Sequence, residues 1–170
     1  METTVNGQKQ SVTGTVELTC DEQPPRVDSK AKKKTTKPET GTGSGFVISS
    51  DGHLVTCAHV IQGADKVDVQ IGGKSYSATV VSVEADDDLA ILKIEASGLI
   101  PLPLADSSKV RLGEEVRAIG FPLSTVLGDG IKVTRGIVAG IVDRDEGKRF
   151  QIDAAVNPGN SGGPVVNDRG

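Results

Sequence analysis

Asn157-Pro158-Gly159-Asn160-Ser161-Gly162-Gly163-Pro164 is the stretch on which the reading of this chain turns. Its serine lies among glycines, which reach backbone angles closed to other residues, so the loop can aim successive N–H groups into one concavity beside the hydroxyl. Such a concavity, built from Gly159, Asn160 and Ser161, suits an oxyanion next to a nucleophile. A serine hydroxyl is weak at neutral pH; it needs an imidazole to take its proton and a carboxylate to hold that imidazole and compensate its charge. Both stand upstream, in Thr56-Cys57-Ala58-His59 and in Asp86-Asp87-Asp88-Leu89-Ala90. Of the three aspartates, Asp88 is the expected partner, because it immediately precedes the apolar run Leu89-Ala90-Ile91-Leu92, a strand that would set its carboxylate at the inner edge of a barrel. Asp86 and Asp87 are expected as solvated turn residues. His53, the one other histidine, sits beside Asp51-Gly52 and is expected as an exposed turn residue.

The order His59, Asp88, Ser161 is one of three chain orders in which this set occurs on unrelated folds. Gly43-Ser44-Gly45-Phe46-Val47-Ile48, Leu54 through Ile61, Asp88 through Lys93 and Gln151 through Pro164 together resemble the trypsin-like protease domain of the HtrA (Deg) family. The resemblance runs from about residue 41 to the end. It implies an all-β fold of two small antiparallel barrels of the chymotrypsin-like kind, with His59 and Asp88 on the first, Ser161 on the second, and the active site in the groove between them. It also implies a serine endopeptidase of the protein quality control type, working through an acyl-enzyme on unfolded or extended polypeptides. Ala155, six residues before the serine, would lie near the base of the primary specificity pocket; being small and uncharged, it implies a preference for small aliphatic side chains. Neither cofactor nor metal is expected, and the resemblance leaves the oligomeric state open, since no aromatic residue precedes Phe46.

Taken outward from the serine loop, the chain reads as short strands and turns, as a small β-barrel requires. Residues 1–10 are polar and without periodicity and are expected as a disordered lead-in. An N-terminal barrel is expected over 11–104, beginning with the alternation Val12, Val16, Leu18, Cys20 and interrupted by a mobile loop at 21–40, where prolines and lysines cluster. Gly41 to Gly45 is expected as a glycine turn into a strand at Phe46; it lacks the lysine and the following helix of a phosphate-binding loop. Asp51-Gly52 is a hairpin signal, and Gly72-Gly73 turns between two alternating runs. Residues 105–112 are the expected crossing between barrels, and 113–170 the C-terminal barrel. Only nine residues follow Ser161, so this barrel is expected to be truncated. That expectation keeps an alternative open: an inactive or peptide-binding protease-like module.

Composition narrows the classes further. At 170 residues the chain can bury a sizeable core, and with 2% aromatic residues that core must be built from Val, Ile, Leu and Ala. A formal charge of −4 offers no general attraction to phosphate backbones, so nucleic acid is not an expected partner. Cys20 and Cys57 are the only cysteines, with no metal-ligand spacing. The first twenty residues show no basic start and apolar run, and no segment is apolar and long enough to span a bilayer, from which a cytoplasmic chain is expected. Gly159-Asn160-Ser161-Gly162-Gly163 fits G-x-S-x-G, but the Gly-Gly-Pro that follows opposes the helix a hydrolase elbow requires.

Overall fold

The computed structural model describes residues 2–5, 8–11, 15–22, 39–122, 130–144 and 147–170. A hairpin of β1 (Glu2–Val5) and β2 (Gln8–Ser11) opens the chain, paired from Glu2↔Ser11 to Val5↔Gln8. The polar lead-in expected there is therefore a two-stranded ribbon; backbone pairing does not require an apolar period.

Six strands then close into a barrel: β3 (Thr15–Glu22), β4 (Glu39–Val47), β5 (His53–Thr56), β6 (Ala64–Ile71), β7 (Lys74–Glu84) and β8 (Leu89–Ile94). Their spatial order is β3-β4-β5-β8-β7-β6, and β6 returns to β3, so no edge is left unpaired. Leu18, Val47, Leu54, Val69, Leu92 and Ile94 fill the interior at 1% exposure or less. The alternation of β5 and β8, in which every second residue is buried, puts these aliphatic side chains on one face. The Asp51-Gly52 turn forms as the sequence suggests, with Gly52 at φ +108°, a value suited to glycine. Most of the lysine-rich loop, at 23–38, lies outside the described residues, as do Val12 and its neighbours at 13–14.

The glycine run departs from its expected form. Gly41, Gly43 and Gly45 are not a turn but the body of β4, paired with Cys20, Leu18 and Val16 of β3. At Gly43 the absent side chain serves a close approach: a Cβ there would lie 2.5 Å from Val60 Cγ1 and 3.3 Å from the Ser161 carbonyl oxygen.

Beyond an irregular stretch with a 3₁₀ turn at Ser107–Lys109, a second sheet forms from β9 (Glu115–Gly120), β10 (Lys132–Arg144), β11 (Gly147–Ile152) and β12 (Val165–Val166). Its order is β11-β10-β9-β12, an open four-stranded sheet among the described residues. β10 runs unbroken from Lys132 to Arg144, bulged between Val138 and Gly140 where it pairs with β11. Val116, Ala118, Ile119, Val138 and Ala154 are buried here.

Candidate active site

His59 stands on a one-turn helix, α1 (Ala58–Ile61), that begins where β5 ends. Val60 and Ile61 are buried and anchor the turn in the barrel core, which leaves His59 on the outer side, half exposed. Asp88 occupies the turn between β7 and β8 and is the one non-glycine residue described with a positive φ, at +54°. Aspartate tolerates this region better than most residues. The conformation has a use: the Asp88 N–H donates to Ala85 O and the Asp88 carbonyl accepts from the Ala58 N–H at 3.1 Å, so β8's entry is tied to the start of α1.

The Asp88 carboxylate accepts twice from His59. The backbone N–H reaches Oδ1 at 2.9 Å, and Nδ1 lies 2.6 Å from Oδ2. The thiol of Cys57 lies near this carboxylate, a ligand atom of each being within 4.8 Å of the other. Burial pulls the carboxyl's pKa upward, but the hydrogen bonds from the His59 N–H and imidazole, helped by the imidazole's charge and the thiol, outweigh it and hold Asp88 below the usual carboxylate range. For Cys57 the balance runs the other way: burial and the neighbouring Asp88 charge push its thiol up, against a hydrogen bond from the Gly162 N–H. Cys57 is a free thiol.

The serine loop docks on the same strand end. Gly159 at φ +96° and Gly162 at φ +82° turn the chain, the Asn160 N–H donates to Asn157 O at 3.0 Å, and the Gly163 N–H donates to Asn160 O at 2.9 Å. Ser161 is half-buried, and its carbonyl accepts from the Ser44 N–H at 2.8 Å. Ser44, fully buried, donates its hydroxyl to Gly159 O at 2.6 Å and accepts from the Phe121 N–H at 2.8 Å. One residue of β4 thus holds both the serine loop and the end of β9. A Cβ on Gly162 would collide with Ser44 O and Thr56 Oγ1 and lie 2.8 Å from the Cys57 nitrogen. The loop is therefore pressed against the residues that lead into His59.

Gly162→Ala adds a methyl group at this contact and strains a left-handed backbone position. It should lower the rate at which a fluorophosphonate modifies Ser161 by at least about 100-fold, because a displacement of about 1 Å at a reacting group has that effect. An unchanged labelling rate in a folded sample would show that the loop does not depend on this seat.

The other sequence candidates fall in different places. Ala155 is exposed, and its carbonyl accepts from Thr134 Oγ1 at 2.7 Å; the buried neighbour is Ala154. Asp86 is exposed, as expected for a solvated turn. Asp87 is not simply solvated: it pairs with Arg149 of β11, across the seam between barrel and sheet. His53 is two-thirds covered rather than an open turn residue, with Nδ1 3.0 Å from Asp51 Oδ1 and 3.1 Å from Ser49 Oγ. Ser44, Thr56 and Cys57 escaped sequence reasoning as parts of the site. Their partners lie up to 115 positions away, and a small polar residue in a glycine run carries no local signal of such a contact.

A histidine–aspartate couple beside a glycine-rich serine loop, at the seam of a β-barrel and a second sheet, defines the chain's class as a trypsin-like serine peptidase. The model for the trypsin-like peptidase domain matches residues 43–170. The chain belongs to that family, and the relatives and structures it is similar to include DegP-like and HtrA-type proteases. It is 43% identical over 130 residues to a probable periplasmic serine endoprotease DegP-like of Halomonas elongata, covering 74% of this chain and 27% of the relative. It is 38% identical to the putative serine protease HhoB of Synechocystis, covering 88% of this chain and 35% of that one. Among solved structures it is similar to the HtrA-type protease AlgW with tripeptide, at 31% identity and a TM-score of 0.76, over 92% of this chain and 48% of that one. The chain thus spans about a quarter to a third of the length of these curated relatives.

The expectation of a cytoplasmic chain is overturned here. Relatives from Halomonas elongata, Pseudomonas putida and Hahella chejuensis are named periplasmic. The expectation rested on the makeup of residues 1–20, which says nothing about compartment in a sequence that spans only part of its relatives. Among the described residues no helix is long and apolar enough to cross a membrane.

Proposed function

We propose that this chain carries the catalytic machinery of a serine endopeptidase, with Ser161 as nucleophile, His59 as general base and then general acid, and Asp88 as the group that orients and charge-compensates His59. The observation that carries the reading is the 2.6 Å bond between His59 Nδ1 and Asp88 Oδ2, made beside the strand end on which the serine loop is seated. With Nδ1–H held by Asp88, the ring's other nitrogen is the one free to accept the Ser161 proton. The hydroxyl oxygen attacks the peptide carbonyl, the resulting oxyanion is bound by backbone N–H groups, and the imidazolium returns its proton to the departing amine. Water, activated by the same histidine, then releases the acyl group.

Of the three oxyanion candidates, the Asn160 N–H is already engaged by Asn157 O. Gly159 and Ser161 are therefore the donors we assign, and each such donor is worth about 2.7–4 kcal/mol of transition-state stabilisation. The fold supports a site shared by an N-terminal barrel and a C-terminal β domain, joined by the irregular segment around 105–112. We assign extended polypeptide as substrate, in line with neighbours whose structures hold a tripeptide and a decapeptide. A preference for small aliphatic side chains rests on Ala155, which offers no charge to a basic side chain. A periplasmic setting agrees with the named relatives.

Fluorophosphonate labelling tests the core of this reading. Ser161 should be modified in the wild-type chain and not in Ser161→Ala. Absence of labelling in folded wild type would instead favour a module that binds peptides without cutting them, consistent with the open second sheet.

A further inference from the structure

Cys57, His59 and Asp88 bring one thiol, one imidazole and one carboxylate together, with a ligand atom from each lying within 4.8 Å of the others. No spacing in the sequence announces this set, because the carboxylate arrives from a turn 29 residues past the histidine. We propose that the three side chains form an inhibitory site for a thiophilic divalent cation of the zinc type, built over the histidine–aspartate couple.

The donor chemistry selects the ion. Sulfur with nitrogen and one oxygen suits Zn²⁺, whereas Mg²⁺ and Ca²⁺ prefer oxygen alone. Zinc bonds of about 2.0–2.3 Å at tetrahedral angles set ligand atoms about 3.3–3.6 Å apart. The His59–Asp88 pair, now 2.6 Å apart, must open by less than about 1 Å, and the thiol must close by a similar amount. Both are side-chain rotations, and the half-exposed faces of His59 and Asp88 give an ion a path in and leave room for a water as fourth ligand. A Cβ on Gly162 would lie 2.8 Å from the Cys57 nitrogen, so the serine loop packs directly against the residue that carries the thiol.

The proton count is simple. Asp88 is ionised; the thiol releases one proton to solvent on forming the sulfur–metal bond; the Nδ1 proton moves to Nε2 as the metal takes Nδ1. Protonated Nε2 can donate but not accept, so His59 can no longer take the Ser161 proton. This last consequence rests on the catalytic reading given above, whereas binding itself does not.

The experiment separates the two. Co²⁺ added to Ser161→Ala protein should give a thiolate-to-cobalt charge-transfer band, and Zn²⁺ should displace it with release of about one proton. Cys57→Ser, checked for folding by circular dichroism, should lose the band and weaken Zn²⁺ binding by more than the roughly 10–100-fold that loss of an outer-shell partner costs. In wild type, Zn²⁺ should slow fluorophosphonate labelling at least tenfold, Mg²⁺ should not, and Zn²⁺ should matter far less in Cys57→Ser. Should Cys57→Ser fail to fold, loss of the cobalt band after alkylating Cys57 in the folded protein gives the same readout. Absence of the band in wild type, equal Zn²⁺ affinity in both proteins, or equal effects of Zn²⁺ and Mg²⁺ would overturn the proposal. A band without any labelling of Ser161 would uphold the metal site while refuting the catalytic reading.

Discussion

Replacing His59 by alanine should lower kcat for peptide hydrolysis on the order of 10⁶-fold while leaving KM within a fewfold of wild type. The imidazole is half exposed and touches the rest of the site mainly through Asp88, so its loss removes a proton acceptor and little packing. The size follows from how serine nucleophiles respond when their base is removed in other proteases, where single losses cost nearly as much as losing the whole set. The double variant His59→Ala/Asp88→Asn should be no slower than His59→Ala alone. Additive losses in that cycle would mean that the two side chains do not act as a unit.

Asp88→Asn should retain the fold and lower kcat about 10⁴-fold. An amide at this position can still accept from the His59 N–H, but turned that way it presents a donor to the ring, which favours the tautomer that cannot take the serine proton. The size matches the loss seen when the equivalent aspartate of another triad is changed to asparagine. The wild-type carboxyl is held below its ordinary range chiefly by His59, against the pull of burial. Its folded pKa being depressed, the stabilisation it gives is present above the unfolded value near 4 and is lost as pH falls through the lower folded value. A site-resolved carboxyl titration by NMR should therefore find Asp88 ionised where exposed aspartates have begun to protonate. A pKa at or above the ordinary one would remove it as the partner of His59.

Much of this was legible along the chain because the signals were local. Asp51-Gly52 sets a turn, the alternation at Val67, Val69 and Ile71 sets a strand, and the apolar run after Asp88 locates that residue at a strand entry. What escaped reading depends on partners far away in sequence. Gly41, Gly43 and Gly45 have the composition of a turn, yet they form a strand through pairing with β3, and at Gly43 α1 and the serine loop come too close for a side chain. Asp87 looks like its neighbour Asp86 until Arg149, 62 residues on, is brought against it. Ala155 draws its pocket role only from its distance along the chain to Ser161; what the fold adds is that it is exposed and that its carbonyl is held by Thr134 Oγ1, 21 positions away.

Ser44 carries a consequence for when the site is completed. Its hydroxyl and N–H hold Gly159 and Ser161 in place from a strand completed more than a hundred residues earlier. Because synthesis runs from the N-terminus, a nascent polypeptide with only its first half built has β4 but not the residue proposed as nucleophile. On the proposed reading, the site is therefore completed only when the later half closes onto β4.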